Sequence, residues 1–408
     1  MNNAADQTPI FCHFKRVEFI VRFYGRCEPW LRKVFVETYA KSYTPQMFTM
    51  PAFLEKISAK FQPPFLMPSI KNIPISNTLG LLTSLPKTHD TSFPFGQEDL
   101  TGAMSVAIVM GTYNGGTFLR EQLDSIETQT HTNWCLWISD DGSQDDTLSI
   151  LEKYTSTWTQ KTLRVLEGPQ NGFAANFLSL VCNPAISSDF YAYSDQDDIW
   201  HADKLKRAIA WLADIPSEIP ALYCARTEIV DRAGSPLGVS QLFRRPVGFQ
   251  NALTQNVGGG NTMVFNSAAR SLLIEAAADI NVISHDWWTY LVVSGCGGNV
   301  FYDNRPCLKY RQHDHNVIGA NHTLTAPLKS VLRLMEGTFK KWNSANLRAL
   351  ERLNHRLTSR NKDILLLFSR ARHQGLFRRI IGIYRSGVYR QTCRGNLGLV
   401  IATLFKRI

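Results

Sequence analysis

The chain has 408 residues, 44% hydrophobic and 19% charged, with a formal net charge of +10. That composition excludes a mainly disordered chain, and no apolar run approaches the roughly 20 residues of a membrane-spanning helix. The eight cysteines are scattered without a C-x-x-C pair, which reads as reduced thiols rather than a zinc site or disulfide framework.

Residues 1–100 offer no motif. Residues 14–43 read as one or two helices, and the Pro- and Ser-rich stretch 61–100 reads as linker. The chain opens "MNNAADQTPIFCHFKR". It has acid and polar groups where a secretory signal needs a basic start and an apolar core, so the expected location is the cytoplasm.

From Ser105 the pattern sharpens. "SVAIVMGTYN" is an apolar, β-branched strand ending in a polar loop, and "GGTFLREQLDSIETQT" repeats apolar residues at helical spacing. "WCLWISDDGS" is a second strand, followed by a helix that Ser143 can cap. "LRVLEGPQNGFAANFLSLV" reads as strand, turn and helix; "DFYAYSDQDD" and "WHADKLKRAIAWLAD" read as a further strand and helix. This alternation predicts an α/β fold, a mostly parallel sheet flanked by helices. Ligands of such sheets bind outside the carboxyl ends of the strands. Thr112, Tyr113, Asn114, Asp140, Asp141, Asn171, Asp195 and Asp197 all fall at such ends.

Neither G-x-G-x-x-G after the first strand nor GxxxxGK[ST] is present, so a dinucleotide site is poorly supported and a P-loop is excluded. Asp195-Gln196-Asp197 instead reads as D-x-D. Carboxylates at a strand end suit a hard divalent cation, and Mg²⁺ or Mn²⁺ can neutralise a diphosphate. The plainer alternative is that these acids cap the next helix or pair with Lys204 and Arg207.

Taken together, "VAIVMGTYNGGTFLREQLDSIETQT", "ISDDGSQDDT", "NGFAANF", "YSDQDDIWHADKL", "HDWW" and "YRQHDHN" resemble the GT-A family 2 glycosyltransferases. The likeness is strongest to the rhamnosyltransferase-like branch of bacterial polysaccharide synthesis and spans roughly residues 105–318. The resemblance implies a GT-A (Rossmann-like) domain. It also implies inverting, metal-dependent transfer of a hexose from a nucleotide-diphosphate sugar to an acceptor hydroxyl in cell-surface polysaccharide or lipopolysaccharide synthesis. Carried over by position, Thr112, Tyr113 and Asn114 line the nucleoside pocket, Asp140 or Asp141 holds the base, and Asn171 faces the donor. Asp195 meets the ribose, Asp197 and His313 the metal, and Arg311 neutralises phosphate or pairs with an acid. Asp286 is the implied base, since inverting transfer needs a carboxylate to take the acceptor proton. Many relatives carry an acidic pair there, whereas this chain has His285-Asp286. Gly259, Gly260 and Asn261 are expected at the acceptor, and Trp287 and Trp288 are either sugar platforms or core aromatics. Asn176 is left between the donor and the helix surface, and Asp198 is expected as a cap behind the other acids. The Q/R-x-x-R-W signature of processive synthases is absent, so a single addition is expected. The donor's sugar and nucleotide stay open between dTDP-, UDP- and GDP-linked forms; rhamnose follows only from the branch.

Residues 327–408 carry 18 Lys and Arg against 3 Asp and Glu, a net +15, which leaves −5 for the rest. Basic amphipathic helices of this kind can lie on an anionic membrane carrying a lipid-linked acceptor, at the inner face of the membrane, or can simply pack on the catalytic domain. Without a recognition motif, nucleic acid is not an expected partner. The expected layout is an N-terminal extension (1–100), a GT-A domain (101–322) and a basic helical extension (323–408). The competing function is a non-catalytic GT-A-like protein that binds partners through its basic helices.

Overall fold

The structure is a computed structural model, describing residues 102–158, 163–277, 282–313 and 337–408. The readings made for 1–100 and for 327–336 lie outside the described residues. All described residues belong to one unit, Phe95–Ile408.

The first half alternates as expected: β1 (Val106–Thr112), α1 (Leu119–Glu127), β2 (Trp134–Asp140), α2 (Thr147–Thr157), β3 (Leu163–Glu167), α3 (Phe173–Cys182) and β4 (Phe190–Ser194). A two-residue strand, β5 (Ile199–Trp200), then leads into α4 (Lys204–Leu212). The second half holds β6 (Ala221–Val230), β7 (Pro236–Val239), β8 (Val264–Asn266), α5 (Ser267–Ala276), α6 (His285–Gly295) and β9 (Asn299–Arg311). Four helices follow: α7 (Thr338–Arg352), α8 (Ser359–His373), α9 (Leu376–Ser386) and α10 (Cys393–Leu404). The sheet order is β3-β2-β1-β4-β8-β6-β9-β5, with β7 paired to β6. β1, β2, β3 and β4 are mutually parallel, and β6 runs parallel to β9. By paired length the sheet is mostly parallel. The short β8 runs antiparallel between β4 and β6, which brings the chain just before it back toward the carboxyl end of β4.

Strand periodicity divides the core in two. Val106, Ile108 and Met110 face the helices α1 and α4, against Leu119, Leu123, Ile126, Leu205 and Ile209. Ala107 and Val109 face the other way, toward Phe177 and Val181 of α3 and the aromatic helix α6. Full burial of each such side chain stabilises by roughly 1.5–3 kcal/mol. The second layer continues into the C-terminal helices, where Leu347, Leu350, Leu353 and Phe368 share one cluster with Trp287 and Leu291. Trp342 of α7 meets Trp287 edge to face at 6.4 Å between centroids. α8 and α9 approach closely at Gly382, where a Cβ would lie 2.6 Å from Ala371 Cβ.

The six cysteines among the described residues are free. No described helix is long and apolar enough to cross a membrane.

Because Leu350 is fully buried in the cluster that carries α6, Leu350→Ala is expected to cost about 2–5 kcal/mol in urea unfolding. A loss below about 0.5 kcal/mol, the scale of an exposed substitution, would show that α7 is a detachable appendage.

Candidate active site

The carboxyl ends of β1, β2 and β4 are tied together by side chains. Asp140, at the end of β2, accepts from Thr112 Oγ1 (2.9 Å), Ser143 Oγ (2.5 Å), Ser143 N (2.8 Å) and Gly142 N (3.2 Å). Its carboxylate is spent on shaping the loop. Asn114, at φ 48°, accepts from Gln144 N through its side chain at 2.8 Å, while its own N–H donates to Ser143 Oγ. Gln196 clamps the β1 loop from the β4 side: Tyr113 N donates to its Oε1 (2.9 Å) and its Nε2 donates to Tyr113 O (3.0 Å). Gly115 is required there, because a Cβ would collide with the Gln196 amide.

Beside this clamp, Asp195, Asp197 and Asp198 can each offer an oxygen within 4.8 Å of the others. His313 Nε2 lies 2.7 Å from Asp197 Oδ2. Burial, then Asp197 and Asp286, pushes the Asp195 carboxyl up to about 7. Burial, then Asp197 and Asp195, pushes Asp198 well above the usual carboxylate range. Asp198 Oδ2 accepts from Asn261 Nδ2 at 2.6 Å, and its buried Oδ1 has no hydrogen-bond partner among the described residues. Oxygen donors of this number and charge, one of them an orphaned buried atom, fit a hard divalent cation.

Behind the acids lies Lys204, fully buried, its Nζ 3.1 Å from the Trp200 ring centroid and donating to Asn261 O at 2.6 Å. Burial lowers it to about 7, against the pull of Cys307, Asp198 and Asp195. Arg207, the other cation weighed for these acids, turns away to Asp303 at 2.6 Å.

Asp286 lies in the first turn of α6. Its Oδ2 accepts from Gly260 N at 3.1 Å and its Oδ1 from Trp287 N at 2.6 Å. His285 beside it stacks on Phe177 at 3.9 Å and is pushed down to about 4 by burial, so it is a neutral neighbour.

The structure thus sorts the expected residues. Tyr113, Asp141, Asn171, Asp195, Asp197, His313 and Gly259 keep some exposure. Asp141 Oδ1 accepts from Gln170 N at 2.6 Å. Others are corrected to internal roles. Thr112 and Asp140 bond each other, so Asp140 is not free to hold a base. Arg311 is 2% exposed and committed to Glu121 (2.7 Å), Arg232 O (2.7 Å) and Asp197 O (3.2 Å), so it pairs with an acid rather than a phosphate. Trp287 and Trp288 are core aromatics, because every residue of α6 is buried; Trp287 Nε1 donates to Ala252 O. Asn261 and Gly260 are buried and bonded to Asp198 and Asp286 instead of lining an open acceptor face. Asn176 is buried with its amide donating to Ser139 O at 2.9 Å. Sequence reasoning missed Gln196, read only as the spacer of D-x-D, and Glu121.

The raised Asp195 value fixes a sign. The folded chain keeps this proton after the unfolded chain has lost it. Its stabilisation is therefore full below about pH 4 and is lost as pH rises through about 7. In metal-free protein, Tm is expected to fall between about pH 5 and 7.5, and Asp195→Asn to flatten that fall. Mn²⁺ should raise Tm more at the upper end of this window, where ionised Asp195 adds negative charge beside the residues that would hold the cation. Scanning calorimetry at the two pH values, with and without Mn²⁺, checks both signs.

The glycosyl transferase family 2 model matches residues 107–273, which covers β1 to α5 and the acid cluster. A dTDP-rhamnosyl transferase of Shigella flexneri, RfbG, is 32% identical over 239 residues, 54% of this chain and 77% of that protein. The Escherichia coli UDP-Glc:α-D-GlcNAc-diphosphoundecaprenol β-1,3-glucosyltransferase WfgD is 32% identical over 108 residues, 26% of this chain and 40% of WfgD. Among solved structures, S. aureus TarS 1–349 with UDP-GlcNAc overlaps at a TM-score of 0.42 and 18% identity, over 70% of this chain and 93% of that one. The β-α alternation, the carboxylates gathered at the end of β4, and an identity sustained over most of RfbG agree: the chain belongs to glycosyl transferase family 2.

Proposed function

We propose that the protein is an inverting glycosyltransferase that moves rhamnose from a dTDP-linked donor to an acceptor hydroxyl in cell-surface polysaccharide or lipopolysaccharide synthesis. The observation that carries it is that two consecutive residues, Gly260 and Asn261, bond Asp286 and Asp198 respectively, which sets a separate carboxylate beside the acid cluster. One site then holds acids for a metal-bound diphosphate and a separate carboxylate for the acceptor. The name of RfbG supports the donor, and that of WfgD supports an acceptor on a lipid diphosphate.

Tyr113, Asp141 and Asn171 border the nucleoside, and Asp195 meets the ribose. Asp197 and His313 would hold Mg²⁺ or Mn²⁺, which supplies positive charge for the diphosphate. Asp286 takes the proton of the acceptor hydroxyl as its oxygen bonds the anomeric carbon, and the bond from that carbon to the phosphate oxygen breaks. Each Asp286 oxygen accepts one backbone N–H, which leaves a lone pair for the proton and fixes its direction. The exposed Gly259 borders the acceptor side.

The basic C-terminal helices are read as a peripheral contact with an anionic membrane. On α9, Ile381 is 47% exposed, with Arg378 and Arg385 one turn to either side.

Asp286→Asn is expected to lower kcat by about 10²–10⁴-fold while the donor KM stays within a few-fold, in a radiolabelled donor assay with Mn²⁺. Transfer at the wild-type rate would remove Asp286 as the base. The protein should also pellet with anionic liposomes at low salt and be released at high salt, and Ile381→Glu should weaken the pelleting. Failure of the wild type to pellet at low salt removes the membrane contact.

A further inference from the structure

The expected acceptor loop does something else in this fold. β8 pairs antiparallel with β4, Val264 opposite Ala192, and Tyr193 N donates to Met263 O at 3.2 Å. Residues 260–262, a single 3₁₀ turn, are therefore pressed against the carboxyl end of β4. Two consecutive residues of that turn reach opposite ways. Asn261 Nδ2 donates to Asp198 Oδ2 at 2.6 Å, and Gly260 N donates to Asp286 Oδ2 at 3.1 Å. The turn is anchored from below, where Lys204 Nζ donates to Asn261 O at 2.6 Å, and closed by Thr262 Oγ1 donating to Gly259 O at 2.9 Å. Every side chain in this chain of bonds is buried: Lys204 and Asp198 at 0%, Asn261 at 3%, Asp286 at 9%. Gly260 has no room for a side chain, because a Cβ would run into His285 Nε2 and come within 3.3 Å of Asp286 Cβ.

We propose that Gly260 and Asn261, anchored by Lys204, form a rigid strut that fixes the carboxylate cluster relative to Asp286. They are positioning residues, acting through Asp198 on the cation and through the backbone on the base. Asn261 aims Asp198, one of whose oxygens lies in the cluster and whose Oδ1 has no hydrogen-bond partner among the described residues. Buried partners that orient a metal's carboxylates typically change affinity by about 10–100-fold when removed. The proposal rests on reading the site as a metal-assisted transferase, and it predicts that the two halves of the strut separate.

The test uses the full chain and Mn²⁺ alone as the first probe, by titration calorimetry, with Tm recorded for each variant. Asn261→Ala should weaken Mn²⁺ binding about 10-fold or more. Gly260→Ala should leave Mn²⁺ binding within about twofold but lower kcat about 10-fold or more, with donor KM nearly unchanged, because it displaces only the base. Lys204→Met should reproduce the metal defect of Asn261→Ala. Should Asn261→Ala not fold, Asn261→Ser decides in the same terms. Wild-type Mn²⁺ affinity in a folded Asn261 variant, or equal metal and kcat losses in Gly260→Ala, overturns the strut. A wild-type protein that binds Mn²⁺ but transfers nothing from dTDP-rhamnose overturns the donor reading instead, and the calorimetry still decides the Asn261 half.

Discussion

Carboxylates crowded at a strand end repel one another, and much of this structure exists to hold them there. Asp195, Asp197 and Asp198 share one small volume, with Asp286 near enough to add its charge. Asp198 is buried and the other two are partly buried, so water screens the repulsion less than at an open surface. Each acid meets a different opposing group. Asp197 has His313, Asp198 has the Asn261 amide, and Lys204 supplies a positive charge from beneath. Arg311, locked by Glu121, lends a donor to the Asp197 carbonyl. These contacts restrain the acids without neutralising them all, which leaves a charge balance that a divalent cation would fit.

That constraint explains why glycines recur around the site. Gly115 makes space for the Gln196 clamp, Gly168 lies against Asp140, Asp141 and Asn176, and Gly260 lies against His285 and Asp286. At each of these positions a methyl group would displace a side chain that holds the site. The backbone is drawn in because its N–H groups are donors that need no side-chain ordering.

The sequence made the frame legible because its signals are local. Apolar strands such as "VAIVM", with helical periods between them, announce alternating layers, and the strand ends follow. Asp195 and Asp197 were legible for the same reason, being two residues apart. The partners were not. Arg311 and Glu121 are 190 residues apart, and nothing in either segment announces the other. Lys204 was weighed as a partner of the acids, but only the fold reveals its pocket between Trp200 and Asn261. The motif alone left the tryptophans of "HDWW" open between sugar platforms and core aromatics. The following "TYLVVSG" leaves no polar face, and a helix apolar all round is buried. That signal was available and outweighed the motif.

The Gln196 clamp gives the D-x-D motif a division of labour. Its outer residues belong to the carboxylate cluster, and its middle residue grips the β1 loop at Tyr113. Directed evolution can exploit that separation. A library meant to retune the cation would vary Asp195 and Asp197 around a fixed Gln196. One meant to reshape the β1 loop would randomise Gln196 together with Gly115, since a side chain at Gly115 would meet the Gln196 amide.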